Sequence, residues 1–369
     1  MTTVARIQRS SRAGSATAPA LLTWYDNERR DLPWRYKPGA EPDPYRVWLS
    51  EIMLQQTTVK AVIPYFEKFL MRWPTVSDLA AADENSVLEE WAGLGYYSRA
   101  RNLHACAVQI ANECGGQFPA EETELRKLPG IGPYTSAAIA AIAFGKTATP
   151  VDGNVERVVS RLFAVEQPMP QSKPRLRELA SRLTPKERAG DFAQAMMDLG
   201  ATVCTPKRPS CLMCPLHSQC DAHALGLAAK LPAKMPKPNR PVRYGFAFVA
   251  LSETGQLLLR RRPEKGLLAR MMEVPSTEWR DALPAASEVL RTAPVRSEWW
   301  SVPGTVVHTF THFRLEMQVY RTIVPRDAAL TFWADAGRCS WVSRHELKQQ
   351  ALPSVMRKII AHGLGPVVS

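Results

Sequence analysis

Four closely spaced cysteines form the most specific chemical pattern in the sequence. They follow the spacing Cys204-x6-Cys211-x2-Cys214-x5-Cys220. Four thiolates so near one another along a chain can enclose one inorganic centre, either a zinc ion or a [4Fe–4S] cluster. Structural zinc sites usually contain two separated C-x-x-C pairs, so the single compact loop favours the cluster over zinc.

Two carboxylates are candidates for acid–base chemistry. Glu51 lies on a predicted helix and shares a face with Trp48 and Ile52. A carboxyl group among apolar neighbours has a raised pKa and can carry a proton at neutral pH, as a general acid must. A solvated glutamate or a surface ion pair is the alternative interpretation. Asp152, in VDGNVERVV (151–159), stands just before a predicted helix, where an aspartate is also expected simply as the N-cap. One residue can fill both roles.

The stretch LPGIGPYTSAA (128–138) predicts a helix–hairpin–helix over about residues 122–143. Its glycines, Gly130 and Gly132, allow positive φ and a close approach of another group to the backbone. Successive N–H groups at a helix start bind anions, so a DNA phosphate fits here in a contact without base specificity. Helical hairpins also have such turns for packing alone, so the turn is weak evidence by itself.

These residues need a scaffold, which the sequence predicts to be mainly helical over residues 21–225. DPYRVWLSEIMLQQTT (43–58) begins with Asp43 as the expected N-cap and Pro44 at the first helical position. Further helices are predicted at 136–143, 156–163 and 192–203.

The pattern changes after residue 225. Residues 226–243 contain four prolines, five basic residues and no acidic residue, which predicts an extended linker. Beyond it, apolar residues alternate with period two, so 244–251 and the following LLLRRR predict a β-hairpin and 306–324 a long strand. Residues 244–365 are therefore expected to form an α+β domain.

The composition points to a polyanionic partner. The chain has 369 residues, enough for two domains, with a net charge of +12 and a pI of about 9.5. Excess positive charge is typical of nucleic-acid binding, although it also serves solubility alone. No apolar run approaches the roughly 18 residues of a membrane span, so no membrane partner is expected.

The first 25 residues contain no acidic residue and are rich in Ser, Thr and Ala. We expect a disordered tail over residues 1–20. An organellar transit peptide has a similar composition, so organellar targeting stays open beside a cytoplasmic, nucleoid-associated location in a bacterium.

Taken together, the motifs of residues 20–365 closely resemble adenine DNA glycosylases of the MutY type. The resemblance implies a monomeric enzyme with a helix–hairpin–helix glycosylase domain and a [4Fe–4S] cluster on the four cysteines. It implies that double-stranded DNA is the partner, and that adenine paired with 8-oxoguanine or guanine is removed to leave an abasic site. The matching motifs are LPWR (32–35), WLSEIMLQQT (48–57), GLGYYSRARNLH (93–104), LPGIGPYTSAA, VDGNVERV (151–158), MDLGATVC (197–204) and the cysteine spacing.

The same resemblance implies roles for individual residues. Glu51 matches the general acid that protonates adenine at N7, Asp152 the carboxylate that meets the sugar cation, and Tyr134 and Asn154 groups that support this chemistry. The adenine pocket is implied for Leu32, Trp34, Arg35 and Gln194. DNA contacts are implied for the wedges Gln56 and Tyr96, for Thr57 and Leu94 near 8-oxoguanine, and for the backbone at Gly130 and Gly132.

Position 134 bears on the reaction class. Endonuclease III relatives carry a lysine in the corresponding turn, and its amine forms a Schiff base with the sugar. A tyrosine cannot form an imine, so Tyr134 predicts a monofunctional glycosylase. The alternatives are an endonuclease III-like glycosylase/lyase for oxidised pyrimidines and a non-catalytic DNA-damage binding protein. Tyr134 argues against the first, and the presence of both Glu51 and Asp152 argues against the second.

The C-terminal part resembles a Nudix fold, as in MutT. Nudix hydrolases bind their metal through a string of glutamates with an Arg-Glu pair. This signature does not follow EVPSTEWRDALPAASEVLR (273–291), so we expect the domain to recognise 8-oxoguanine rather than to hydrolyse nucleotides. The family's Phe-Ser-His loop reads Phe310-Thr311-His312 here. Strand-like alternation places Thr311 opposite its two neighbours, unless the segment bends into a loop as in the family. Arg270 occupies a position at which a small residue is common in the family.

Overall fold

The computed structural model describes residues 3–37, 40–235, 240–331, 336–348 and 350–365. They form two compact units. The first comprises the described residues of 1–87 and 98–236, and the second those of 88–97 and 237–369. The predicted classes, helical and then α+β, are confirmed, but residues 88–97 group with the second unit although a continuous helical domain was predicted over 21–225.

Among the described residues, twelve α-helices precede the first strand, and the fifth spans the boundary at residues 87–88. They are α1 (Thr3–Glu28), α2 (Pro44–Leu54), α3 (Val59–Arg72), α4 (Val76–Ala81), α5 (Glu84–Glu90), α6 (Ser98–Glu113), α7 (Glu122–Leu125), α8 (Pro133–Phe144), α9 (Gly153–Leu162), α10 (Lys173–Leu183), α11 (Ala189–Thr202) and α12 (Asp221–Ala224).

Small residues let α8 lie at the centre of this unit. Its residues 135–141 are all buried, and α2, α7 and α11 pack around it. A Cβ atom at Gly190, on α11, would lie 2.5 Å from the carbonyl oxygen of Ala141. The alanines of α8 and this glycine therefore allow the two backbones to meet, which fixes the helices that carry the candidate site.

The predicted tail differs in the structure, because α1 begins at Thr3 and residues 3–20 are helical. Leu21 and Tyr25, in the second half of α1, are buried in a core with α9, α10 and α11. The Thr17 hydroxyl donates to Gln219 Oε1 at 2.8 Å. A docked helix extends at little cost once it is nucleated, so the composition of the segment did not decide its structure.

The predicted linker 226–243 also differs at both ends. Leu231 is buried in the first unit, where its carbonyl accepts from Arg161 Nε at 2.9 Å. Met169 N–H donates to the carbonyl of Ala233 at 2.8 Å. At the other end the first strand already begins at Val242. Residues 236–239 of the predicted linker lie outside the described residues.

The second unit is a mixed sheet with helices. Its elements are β1 (Val242–Ser252), β2 (Leu257–Arg261), β3 (Met272–Glu273), α13 (Ala286–Leu290), β4 (Trp300–Thr309), β5 (Arg314–Val324), β6 (Cys339–Val342) and α14 (Ser354–Leu364). The strand order is β3-β2-β1-β5-β4, with β6 also beside β2. β1 and β2 form the predicted hairpin, whereas β1 and β5 run parallel along their whole length.

Side chains along β5 alternate between the two faces of the sheet, and each face packs in a different core. Leu315, Met317 and Val319 pack with α14 on one face, and Tyr320 packs with Phe248 on the other. In the described part of the chain, no helix combines the length and hydrophobicity needed to cross a bilayer.

Candidate active site

Glu51 is buried inside the first unit. It lies near the end of α2, whose start has the predicted caps, since Asp43 accepts the N–H of Tyr45 at 2.9 Å and Pro44 follows it. Only 6% of Glu51 is exposed, and burial raises the pKa of its carboxyl to about 7. A group with this pKa is partly protonated at neutral pH and can donate a proton.

Tyr134 connects the start of α8 to this acid. Its hydroxyl donates to Glu51 Oε2 at 2.9 Å, and Met197 Sδ lies 3.7 Å from the same oxygen of the tyrosine. Burial, together with the charges of Glu51 and Asp152, raises the pKa of Tyr134 well above its ordinary value. Tyr134 therefore stays a neutral donor that orients the Glu51 carboxyl group.

Asp152 caps α9 with one oxygen. Its Oδ1 accepts the backbone N–H of Asn154 at 2.9 Å and of Val155 at 2.8 Å. Its Oδ2 accepts from the Asn154 side chain at 2.8 Å. These three donors hold a carboxylate in one orientation at a helix N-terminus, where negative charge is stabilised. The N-cap expected from the sequence is present, and it leaves the carboxylate partly exposed.

Arg157, on the next turn of α9, was missed by the sequence analysis. Its Nη2 donates to Asn154 Oδ1 at 2.8 Å and to the carbonyl of Gly200 at 2.6 Å, and its Nε donates to the carbonyl of Cys204 at 2.7 Å. The arginine therefore joins the cap of Asp152 to the beginning of the cysteine loop. The only sequence signal for this role of Arg157 is its position on the helix predicted in VDGNVERVV.

The predicted adenine-pocket residues lie on two segments. Leu32 and Trp34 are buried in the loop after α1. Gln194, on α11, is 9% exposed and donates to the carbonyl of Gly190 in its own helix at 3.3 Å. The positive charge of Arg35 lowers the pKa of Glu51, opposing burial, so the loop lies within electrostatic reach of the acid.

Asp198 ties the pocket loop to α11 and was also missed. It is fully buried, and its Oδ1 accepts from Arg35 Nη2 at 3.1 Å and from Arg30 Nε at 2.7 Å. Arg35 Nη1 also donates to the hydroxyl of Tyr25 at 3.1 Å. A buried charge needs partners of this kind, and here they fix the loop that carries Leu32 and Trp34.

The two predicted wedges share an uncommon backbone. Gln56 has φ 56° and Tyr96 has φ 50°, a left-handed conformation that few non-glycine residues adopt. Both side chains are exposed. Leu94 is only 7% exposed, and the Thr57 hydroxyl accepts from Arg99 at 3.0 Å. Leu94 and Thr57 are thus less available for a base contact than the resemblance implies.

The glycine-rich turn has two different glycines. Gly130 has φ +75°, and a Cβ atom there would lie 2.8 Å from Cβ of Asn102, so its close neighbour is this chain itself. Gly132 has open space around the same position and precedes α8, whose first turn has no side-chain cap. The predicted phosphate contact therefore fits the backbone N–H groups after Gly132.

The four cysteines line one cavity together with Arg161. Arg161 is 1% exposed and donates to Cys204 Sγ at 3.2 Å and to the carbonyl of Thr205 at 2.8 Å. Within the described ranges, no three His, Cys, Asp or Glu side chains are arranged to hold a single metal ion. Four cysteine thiols around one cavity are a donor set that a [4Fe–4S] cluster can take.

In the second unit, residues 310–313 form a turn rather than a continuing strand. The N–H of Phe310 donates to the carbonyl of Phe313 at 2.9 Å, which leaves Thr311 and His312 exposed at the tip between β4 and β5. Phe310 instead packs on Trp279, with ring centroids 5.4 Å apart. The segment therefore bends, as the resemblance implied.

Other charged residues of this unit pair with one another. Glu273 is completely buried and accepts from Arg260 Nε at 2.8 Å and from Arg262. Arg270 has φ 60° and its Nη2 donates to Glu264 at 3.0 Å, so this departure from a small residue is accommodated at the surface.

The helical unit with its buried acid and the second unit with its mixed sheet define the class of the protein. Residues 49–186 match the HhH-GPD superfamily of base excision DNA repair proteins, and residues 246–362 match the NUDIX domain.

Relatives then give the family. The human adenine DNA glycosylase is 38% identical over 92% of this chain and 72% of that protein, and the enzyme of Buchnera aphidicola subsp. Schizaphis graminum is 36% identical over 92% and 96%. The chain belongs to the adenine DNA glycosylase family. A solved thermostable thymine-DNA glycosylase is 30% identical and superimposes with a TM-score of 0.52, covering 58% of this chain and 98% of that one.

Proposed function

We propose that this protein hydrolyses the N-glycosidic bond of adenine in duplex DNA and leaves an abasic site. The observation that carries the proposal is Glu51, a buried carboxyl with a pKa of about 7 that accepts a hydrogen bond from Tyr134 at 2.9 Å. Family membership supports adenine as the base, because both relatives compared above are adenine DNA glycosylases.

The chemistry needs one acid and one anion. Adenine is a poor leaving group until its ring is protonated, and Glu51 supplies that proton at N7. The bond between the sugar and N9 then breaks with its electron pair going to the base, so positive charge develops on the sugar. Asp152, fixed by three hydrogen bonds, stabilises this cation until water adds to the sugar and releases a proton to the solvent. Burial, which raises the pKa of Glu51, suits this residue to the role of the acid.

The second unit is proposed to read the base opposite the adenine. Adenine is a normal base, so the error must be recognised on its partner. 8-Oxoguanine carries a proton on N7 where guanine has an acceptor, and the exposed hydroxyl of Thr311 can accept from that proton. Phe310 packed on Trp279 holds the turn that presents it.

Thr311→Val should therefore lower the preference for 8-oxoguanine:adenine over guanine:adenine by about tenfold or more, because one such contact is worth roughly 1–3 kcal/mol. Single-turnover excision and affinity on both duplexes measure it. Thr309→Val, at the end of β4 just before this turn, is the matched control. An unchanged preference in Thr311→Val would move discrimination elsewhere in the chain.

Cys204, Cys211, Cys214 and Cys220 are proposed to hold one [4Fe–4S] cluster. Such a cluster would cross-link residues 204–220 into one rigid loop, and the guanidinium of Arg161 beside Cys204 suits the negative charge of a four-thiolate centre. No step of the excision is assigned to it.

The purified protein should be brown and contain about four irons with little zinc, because four thiolates ligate the cluster. Cys214→Ser should lower the iron content, whereas Cys339→Ser, in the second unit, should not. Iron, sulfide and zinc analysis of anaerobically prepared protein measures this. Stoichiometric zinc without sulfide would overturn the assignment.

Borohydride added during turnover should trap almost no protein–DNA adduct, because Tyr134 has no amine to form an imine. Gel analysis of the reduced mixture measures trapping, and Tyr134→Lys tests whether an amine at this position can react. Efficient trapping by the unmodified protein would favour the glycosylase/lyase alternative of the endonuclease III type.

A further inference from the structure

Helix α2 ends in an unusual way beside the catalytic acid. Many helices end with a glycine in the left-handed conformation, because that residue lets the last carbonyl groups find partners. Here the cap is Gln55, and the left-handed position after it is Gln56, with φ 56°. A side chain in this conformation is strained, and the strain must be offset by surrounding contacts.

Arg99, on α6, supplies those contacts. Its Nη1 lies 3.0 Å from the carbonyl of Ile52, 2.8 Å from that of Met53 and 2.6 Å from that of Gln55. Its Nη2 donates to the Thr57 hydroxyl at 3.0 Å. The guanidinium is buried and therefore contacts both sides of the left-handed residue, the carbonyls that precede it and the hydroxyl that follows it.

We propose that Arg99 is a positioning residue that replaces the usual helix-ending glycine, so that position 56 can carry a side chain that enters the base stack. A glycine at position 56 would adopt the left-handed conformation without strain, but it would have no side chain to enter the base stack. The arginine makes the same turn stable with glutamine, and its planar fork is suited to several carbonyls at once. This inference rests on the proposed function, in which the adenine must leave the duplex before it is cut.

A double-mutant cycle on the full-length protein tests this coupling. Arg99→Met, Gln56→Gly and the double variant are compared with the unmodified protein. Extraction is measured by the fluorescence of 2-aminopurine placed at the adenine position, and chemistry by single-turnover excision of adenine. Arg177→Met, which removes an exposed charge from α10, controls for weaker attraction to DNA.

Arg99→Met and Gln56→Gly should each lower extraction of 2-aminopurine about tenfold. Adding Arg99→Met to Gln56→Gly should lower extraction by less than about twofold more. Equal losses in both backgrounds would mean that Arg99 stabilises α2 without acting through Gln56, and would overturn the proposal. So would normal extraction by Gln56→Gly. Arg99→Lys keeps the positive charge but lacks the planar guanidinium, so its extraction should resemble that of Arg99→Met. It replaces Arg99→Met in the cycle if the methionine variant does not fold.

The fluorescence arm, read before the N-glycosidic bond is cut, reports extraction separately from bond cleavage. Failure of the unmodified protein to excise adenine, with 2-aminopurine still extracted in the expected pattern, would overturn the proposed function and leave the role of Arg99 intact.

Discussion

Glu51→Gln should lower single-turnover excision of adenine by about 10²–10⁴-fold, the range expected when a general acid is lost. The amide has nearly the same shape and can still accept the hydrogen bond from Tyr134, but it cannot supply a proton. DNA affinity should change little at a pH below 7, where the protonated Glu51 is neutral like the amide, and the side-chain volume is nearly the same. Excision kinetics and binding are measured on the same duplex.

The pH dependence separates this role from a structural one. The acid form of Glu51 is the active form, and its pKa is about 7, so excision should be fastest below that pH and fall about tenfold per unit above it. Tyr134→Phe removes a hydrogen bond that lowers this pKa, so the fall should move to higher pH. A rate that is flat from pH 6 to 9, or near-normal excision by Glu51→Gln, would rule out Glu51 as the acid.

Local sequence patterns predicted those parts of the site that depend on neighbours along the chain. The Asp43-Pro44 helix start, the cap at Asp152 and the four-cysteine loop each involve residues close in sequence, whose types limit what they can do. The apolar neighbours of Glu51 likewise follow from helical spacing. The roles of these residues remain predictions until the variants are measured.

Long-range charge pairs could not be predicted in this way. Arg35 and Asp198 are 163 positions apart, and Arg99 contacts the end of α2 from 44 positions away. Periodicity identifies which face of a helix is buried, but it does not identify which buried arginine meets which carbonyl or carboxylate. The same reason explains why the contacts of Arg157 with Gly200 and Cys204 could not be predicted.

Packing also overrode composition at the borders of the first unit. The residues before Leu21 lack acidic side chains, yet they are helical, because the second half of α1 packs in the core and the helix extends from it toward the N-terminus. The proline-rich segment after residue 225 buries Leu231 and pairs with Met169. In both places a few apolar residues decide the structure, and their effect depends on a surface that only the folded chain provides.

Asp152→Asn should lower excision by about 10²–10³-fold, comparable to the loss of one electrostatic stabiliser in other enzymes. The substitution is informative because asparagine caps helices about as well as aspartate does. The side-chain oxygen can still accept from the N–H groups of Asn154 and Val155, so the cap of α9 is kept, while the negative charge and the hydrogen bond from the Asn154 side chain to Oδ2 are lost. The thermal midpoint should therefore fall less than in a variant that loses the cap.

Asp152→Ala completes the comparison, because it removes both the charge and the cap. It should lose about 1 kcal/mol of helix stability in addition to the activity. Thermal unfolding and single-turnover excision are measured for both variants at a pH below 7, where Glu51 is protonated. If Asp152→Asn excised adenine normally and only Asp152→Ala failed, the carboxylate would be a helix cap alone, and the cation would have to be stabilised by another group.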